Sequence, residues 1–193
     1  GLDKNTIVVF TSDHGYHLGE HGHWQKQTPF DDATRVPLIF AGPGIKKDKV
    51  AVNFPVELVD VYPTLMDIVK FQTPAFVRGK SIKPYLEGSR LPIRTNALTE
   101  LRVSMPKGVA NGYSIKTMHY RLTQWNYKDS LYYELYDHRN NSVELSNVAD
   151  NILFKHVRDS LKQVIRGRIS EAKKYPTGLG RQIDNVLPWK EPK

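Results

Sequence analysis

One short stretch near the beginning of the chain limits the fold more than any other. Ile7–Phe10 is an unbroken run of apolar, mostly β-branched residues, and the polar segment Thr11–Gly15 follows it directly. Such a run is typical of a strand buried on both faces, as in parallel sheets covered by helices. Ligands of open α/β sheets bind beyond the carboxyl ends of these strands. The stretch therefore predicts an α/β fold with a functional loop at Thr11–Gly15.

This loop contains a carboxylate and an imidazole side by side, Asp13 and His14. Oxygen from Asp13 and nitrogen from His14 can hold a divalent cation if other ligands join them. The alternative is a polar turn in which Asp13 only caps the next segment. The local sequence leaves both interpretations open, because no convincing second acidic cluster elsewhere in the chain supplies the remaining ligands.

The segment from Tyr16 to Phe30 is rich in histidine and glycine and has no regular period, which predicts a loop. We expect its His21 and His23 to be surface or packing residues rather than metal ligands. Lys26 differs from them, because a flexible ammonium close to an Asp-His pair suits a phosphate or sulfate oxygen. The alternative for Lys26 is an ordinary surface lysine.

The rest of the first half is predicted to contain a second buried strand and a helix. Arg35–Phe40 is the strand, and a turn rich in glycine and proline ends it. Apolar residues at helical spacing place the helix over Glu57–Val69, with Pro63 interrupting it early. Phe71–Arg102 is predicted to be rich in loops, and Ser104–Gly108 is predicted to be a loop as well.

From about Gly112 the pattern changes to alternating residues rich in tyrosine, threonine and tryptophan. Tyr113–Trp125 and Leu131–Tyr136 are predicted to form two antiparallel strands joined by a turn. Ile152–Ala172 is a long basic amphipathic helix, which we expect to pack on this small sheet. A helix on a membrane surface is the alternative. Tyr175–Lys193 is a tail that contains proline and glycine.

Charge and composition restrict the partners of the chain. The 28 Lys and Arg residues against 20 Asp and Glu residues give a net charge of +8, which favours anionic partners. No motif that reads RNA or DNA accompanies this charge, so we expect no nucleic acid partner. No window approaches the ~20 apolar residues of a membrane-spanning helix. Without cysteine the chain forms no disulfides and no thiolate metal sites.

Six motifs occur in a fixed order along the chain: VVFTSDHG, GEHGHWQK, RVPLIFAGPGI, VELVDVYPTLMDI, GKSIKPYLEG and ELYDHRNNSVELSNVAD. Together they resemble the C-terminal part of the type I, formylglycine-dependent sulfatases of the alkaline-phosphatase-like superfamily. The resemblance runs from Leu2 to about Asp150. The Asp-His pair and the stretch NGYSIKTMHYRLTQW are similar to the iduronate-2-sulfatase branch of that family.

The resemblance implies a division of the chain into two parts. Residues 1–110 would be the C-terminal part of the large α/β domain of the sulfatase fold. Residues 111–193 would be a small C-terminal α+β subdomain, an antiparallel sheet packed with a C-terminal helix. Its loops would help to shape the substrate pocket.

The resemblance also implies roles for four residues. Asp13 and His14 would be two ligands of a calcium ion that holds the sulfate and the formylglycine nucleophile. Lys26 would contact the sulfate and stabilise the charge that develops on its oxygens. Tyr16, beside the Asp-His pair, is a candidate for touching the sugar.

The chain departs from the family pattern in its nucleophile. Type I sulfatases need a C/S-x-P-x-R motif, and here Ser104–Gly108 has glycine where arginine belongs and follows the metal pair instead of preceding it. We therefore expect a C-terminal fragment, inactive alone, whose N-terminal part carries the nucleophile and the other metal carboxylates. The opening of the chain directly onto a strand, without a signal segment, favours the same interpretation.

The expected function is the hydrolysis of sulfate esters on sulfated saccharides such as glycosaminoglycan fragments. A phosphatase or phosphodiesterase of the same superfamily is one alternative, and a non-catalytic module that binds acidic polysaccharide is another. By resemblance, the compartment would be periplasmic, secreted or lysosomal.

Overall fold

The computed structural model describes residues 1–46, 52–139 and 143–174. Within these ranges the chain combines short helices with three separate antiparallel sheets. The predicted tail at Tyr175–Lys193 lies outside the described residues. The strands are β1 (Val8–Thr11), β2 (His17–Leu18), β3 (Trp24–Gln25), β4 (Leu38–Ala41), β5 (Asn96–Met105), β6 (Gly108–Thr117), β7 (Tyr120–Tyr127) and β8 (Ser130–Asp137). The α-helices are α1 (Asp31–Thr34), α2 (Val61–Ile68), α3 (Lys83–Leu86) and α4 (Lys155–Lys173).

Both strands predicted in the first half are present, but their setting differs from the prediction. β1 pairs with β4 in antiparallel register, with Val8 opposite Ala41 and Thr11 opposite Leu38. Val8 and Phe10 are 57% and 60% exposed. The expectation of a strand buried in a parallel sheet is therefore wrong for the described residues. A continuous apolar run specifies a strand, but it specifies neither the direction of the partner strand nor what covers its faces.

The predicted helix at Glu57–Val69 is confirmed with a different beginning. A 3-10 turn spans Leu58–Asp60 and continues into α2, and Pro63 lies buried in the first turn of α2 without interrupting it. Proline is tolerated there because the amide N–H groups of a first helical turn have no partner within the helix.

Two aspartates of this helix bind neighbouring segments. The Asp60 carboxylate accepts the Glu57 N–H at 2.9 Å, is fully buried and is paired with Arg94 Nη2 at 2.6 Å. Asp67 accepts a hydrogen bond from Ser81 Oγ at 2.6 Å. Both carboxylates hold the segment that follows α2 against the helix.

The second half forms a four-stranded meander in the order β5-β6-β7-β8. The single strand predicted over Tyr113–Trp125 is divided between β6 and β7, because the chain turns at residues 118–119, where Thr117 Oγ1 accepts the Tyr120 N–H at 2.9 Å. The segment predicted to be rich in loops contains α3 and most of β5. Ser104–Gly108 is a tight hairpin connection rather than a free loop, since β5 ends at Met105 and β6 begins at Gly108.

The basic helix predicted over Ile152–Ala172 is confirmed as α4, preceded by a 3-10 turn. As expected, α4 packs on the small sheet, where its Ile165 is fully buried against a cluster of side chains from β6, β7 and β8. Among the described residues no helix is long and apolar enough to cross a membrane. β5 joins this sheet although it precedes residue 111, and the division of the chain at that residue stays a prediction. The cluster consists of Tyr113, Ile115, Leu122, Leu135, Ala149, Leu161 and Ile165.

Candidate functional site

The candidate site forms where β1 ends and a small hairpin returns to it. β2 and β3 pair antiparallel, with Leu18 opposite Trp24, and this pairing brings the chain back beside the loop that follows β1. Gln25 has a left-handed backbone, with a φ of 78°, immediately before Lys26. Such conformations are uncommon for residues other than glycine and concentrate at functional sites. As a result, Lys26 lies against His14, twelve residues earlier.

The hydrogen bonds of His14 define which ring nitrogen is available. Its Nδ1 lies 2.7 Å from the Gly15 carbonyl oxygen, and a carbonyl only accepts, so the ring proton is on Nδ1. Nε2 therefore presents a lone pair, which accepts a hydrogen bond from Lys26 Nζ at 2.7 Å. A backbone carbonyl that fixes the distal ring nitrogen is the usual support of a metal-binding histidine.

The Asp13 carboxylate lies near the same nitrogen. Its Oδ2 lies 3.3 Å from His14 Nε2, and its side chain is 82% exposed. A carboxylate oxygen and a lone-pair nitrogen repel each other at this distance unless a positive charge lies beside them, and the Lys26 ammonium supplies that charge. The arrangement suits a bound cation, either alone or together with an anion that the cation holds.

The site as described offers two metal ligands. Among the described residues no group of three or more histidine, cysteine, aspartate or glutamate side chains is arranged to hold a metal ion. Calcium takes about six to eight oxygen ligands. Asp13 can supply one such oxygen, whereas His14 supplies a nitrogen, and the other ligands of a calcium site would have to come from outside the described residues.

Three of the four predicted site residues converge. Asp13, His14 and Lys26 line one broad cleft, whose opposite walls come from β4, β5 and the chain before α2. Tyr16 is 53% exposed and is not among the residues that line this cleft. Its hydroxyl makes no hydrogen bond within the described ranges, and its predicted contact with a sugar stays a prediction.

Gly15 anchors this loop to the rest of the chain. Its N–H donates to the Ala33 carbonyl of α1 at 2.8 Å. A Cβ atom at this position would lie 1.9 Å from the Asp32 carbonyl oxygen, so only glycine allows the loop to approach α1 so closely. Sequence reasoning did not identify this contact, although the glycine directly after the Asp-His pair was a signal for it.

The other histidines of this segment have packing roles. His21 stacks on Phe30 with ring centroids 4.0 Å apart, which is one of the two roles expected for it, surface or packing. His17 is fully buried, and its Nε2 lies 2.6 Å from Thr28 Oγ1. These contacts hold the β2–β3 hairpin, and with it Lys26, against α1.

Below the loop lies a buried charge network that sequence reasoning missed. The Arg121 guanidinium is paired with the carboxylates of Asp31 and Glu144, and His138 Nε2 lies 2.9 Å from Glu144 Oε1. Burial alone would raise the pKa of Glu144, but the hydrogen bond from His138 and the charge of Arg121 outweigh it and lower the pKa to about 2. The sequence carried no local signal for this network, because Leu122 lies in the core of the small sheet and strand alternation places its neighbour Arg121 on the opposite face.

Comparison with known proteins relates this geometry to a family. A sulfatase of Formosa agariphila is 35% identical over 162 residues, which cover 84% of this chain and 30% of that protein. Arylsulfatase K of Canis lupus familiaris is 30% identical over 197 residues, which cover 98% of this chain and 36% of that protein. The chain therefore spans about a third of the length of the curated relatives it matches.

The fold is also similar to solved structures. A protein solved in complex with its substrate, D-glucosamine-2-N,6-O-disulfate, matches with a TM-score of 0.79 at 28% identity, over 97% of this chain and 37% of that one. The expected C-terminal part of an alkaline-phosphatase-like sulfatase fold, with a small antiparallel sheet and a C-terminal helix, is thus confirmed. The family model described as N-sulphoglucosamine sulphohydrolase, C-terminal, matches residues 19–171. Because this match covers well over half of the chain, the protein belongs to the family of N-sulphoglucosamine sulphohydrolase C-terminal domains.

Proposed function

We propose that this chain is the C-terminal part of an enzyme that hydrolyses sulfate esters on sulfated saccharides. The observation that carries the proposal is the convergence of Lys26, His14 and Asp13, with Lys26 Nζ 2.7 Å from His14 Nε2 and Asp13 Oδ2 3.3 Å from the same nitrogen. A mobile ammonium beside two potential cation ligands suits a tetrahedral oxyanion bound to a metal. The family membership described above supports this interpretation.

Lys26 is proposed to bind a sulfate oxygen. Cleavage of a sulfate ester moves negative charge onto the sulfate and leaving-group oxygens, and a fixed cation near them stabilises the transition state more than the ground state. The Lys26 side chain is exposed, so it can leave His14 Nε2 and turn toward a bound anion.

Asp13 and His14 are proposed to provide two ligands of a calcium ion. Bound calcium would supply positive charge that orients the sulfate and the formylglycine nucleophile expected in the N-terminal part. The remaining ligands and the nucleophile would also come from that part of the enzyme, so the described chain alone should be inactive. The hydrogen bond from His14 Nδ1 to the Gly15 carbonyl would leave the Nε2 lone pair free to bind the ion.

The proposed branch of the family and the proposed substrate class rest on the sequence. We propose an iduronate-2-sulfatase-like enzyme acting on glycosaminoglycan fragments, with Tyr16 touching the sugar. Support comes from the Asp-His pair, from the stretch NGYSIKTMHYRLTQW and from the net charge of +8, which suits a polyanionic substrate. A periplasmic, secreted or lysosomal location fits such a substrate.

The test uses the full-length protein with its upstream sequence. It should release sulfate from a sulfated uronic-acid disaccharide, and Lys26→Ala and Asp13→Asn should each lower kcat/KM by about 100-fold or more. Arg139→Gln is a matched control, since Arg139 lies just after β8, has a half-exposed side chain paired with Asp137, and does not line the cleft.

Three results would contradict the proposal. Activity unaffected by both site variants would remove these residues from the reaction. Faster hydrolysis of phosphate esters, together with two bound zinc ions, would favour the phosphatase alternative. Binding of heparin-like chains that falls with salt, without turnover of any ester, would favour the binding module.

A further inference from the structure

Arg121 of β7 donates hydrogen bonds from all three guanidinium nitrogens to buried and partly buried partners. The residue is 1% exposed. Its Nε donates to Glu144 Oε1 at 2.5 Å, its Nη1 to Ser114 Oγ at 3.2 Å, and its Nη2 to Thr34 Oγ1 at 3.1 Å and to Asp31 Oδ1. Two of these partners, Asp31 and Thr34, are the first and last residues of α1. The small sheet therefore holds both ends of this helix through one side chain.

α1 depends on these contacts because it has little stability of its own. It is a single turn of four residues without a side-chain cap at its beginning. Isolated helices of this length do not persist in water. Glu144 adds a second attachment, since its Oε2 accepts the backbone N–H of Asp31 at 2.7 Å. Arg121 and Glu144 thus fix α1 from the side of the sheet, where Lys116 adds an ion pair to Asp31 at 3.5 Å.

The same helix supports the candidate site. The Gly15 N–H donates to the Ala33 carbonyl at 2.8 Å, and the Gly15 carbonyl accepts from His14 Nδ1 at 2.7 Å. A continuous series of short contacts thus runs from Arg121 through α1 and Gly15 to the imidazole. A change in the position of α1 would move His14 relative to Lys26.

We propose that Arg121 is a positioning residue: by fixing α1, it sets the geometry of the Asp13–His14 loop although it touches neither substrate nor metal. This role in catalysis rests on the proposed sulfatase function, whereas the mechanical link does not. Its partners are bound by all three nitrogens of the guanidinium group, Nε, Nη1 and Nη2. Only the planar group of arginine, with its five N–H donors, reaches all of them. The single ammonium of lysine satisfies a subset, so Arg121→Lys is not a conservative change here.

The first experiment measures the link without reference to activity. In the full-length protein, hydrogen–deuterium exchange at the Gly15 amide is compared between the parent, Arg121→Gln and Arg121→Lys. We expect exchange at Gly15 to accelerate by about tenfold or more in both variants, while the amides of Ile115 and Leu122 in the sheet core stay protected. Arg139→Gln, at a half-exposed arginine just after β8, should leave exchange at Gly15 unchanged.

The second experiment measures the consequence for the reaction. Because a misplacement of about 1 Å costs about 100-fold in rate, Arg121→Lys should lower kcat for a sulfated disaccharide by about that factor with a much smaller change in KM. If Arg121→Gln does not fold, the lysine variant alone decides both measurements.

Two outcomes would overturn the proposal. One is unchanged exchange at Gly15 in a folded Arg121 variant, and the other is equal acceleration at Gly15 and in the sheet core, which indicates general destabilisation. If the parent protein hydrolyses no sulfate ester, the proposed function fails, and the exchange measurement still decides whether Arg121 positions the loop.

Discussion

Replacing Glu144 with glutamine should lower the free energy of unfolding by an amount that depends on pH. The lowered pKa of Glu144 in the folded protein gives the size of this amount. The carboxylate is 3% exposed and is bonded to Arg121, His138 and the Asp31 N–H. Its pKa falls from the ordinary value of 4.5 to about 2 in the folded protein. At ~1.4 kcal/mol per pKa unit, this difference corresponds to about 3 kcal/mol at neutral pH. Removing one member of a buried ion pair costs about 3–5 kcal/mol, which agrees in size.

The sign of the effect follows from the lowered pKa. The folded state binds the Glu144 proton more weakly than the unfolded state, so the contribution is complete above pH 4.5 and is lost as the pH falls through about 2. Urea unfolding of parent and Glu144→Gln proteins at several pH values measures it. The parent should be more stable by about 3 kcal/mol at pH 7 and by about half of that near pH 3. A difference that stays constant over this range, or equal stabilities at pH 7, would refute the reasoning.

Three further predictions concern stability. Gly15→Ala should destabilise the protein by about 1–3 kcal/mol in urea unfolding, since its Cβ would overlap the Asp32 carbonyl; an unaltered midpoint would contradict this. Arg94→Met should lower the free energy of unfolding by about 3–5 kcal/mol, because it leaves the buried Asp60 carboxylate unpaired; a loss below about 1 kcal/mol, as expected of a surface pair, would count against it. Burial raises the pKa of Glu134, whose Oε2 has no hydrogen-bond partner among the described residues. Glu134→Gln should therefore be more stable than the parent at pH 7, and this advantage should vanish as the pH falls below 4.5.

Much of the local structure and part of the site could be predicted from sequence. The apolar run before the Asp-His pair predicted β1, and the helical spacing of apolar residues predicted α2 and α4. The structure brings Lys26 beside His14 and Asp13, and the contact of Lys26 with sulfate stays a prediction. The predictions of β1, α2 and α4 succeeded because side-chain periodicity, turn residues and short loops act over a few neighbouring positions.

The pairing of β1 was not predictable in the same way. The run Ile7–Phe10 is compatible with a parallel or an antiparallel neighbour, and only the return of the chain as β4 decides between them. Two hairpins were likewise hidden, because the turn at residues 118–119 carries neither glycine nor proline to mark it, and because β5 lies in a stretch whose prolines indicated loops.

By itself, then, the sequence determined where β1, β4 and the longer helices form and which polar residues follow β1. Only the tertiary structure decided what holds those residues in place. Arg121 and Asp31 are 90 positions apart, and Glu144 and Asp31 are 113 apart. No local sequence pattern predicts that these side chains meet. Buried charges are tolerated only where other parts of the folded chain supply their partners. The residue types of the candidate site can thus be identified from the sequence. The rigidity of the site depends on contacts that form only when the chain folds.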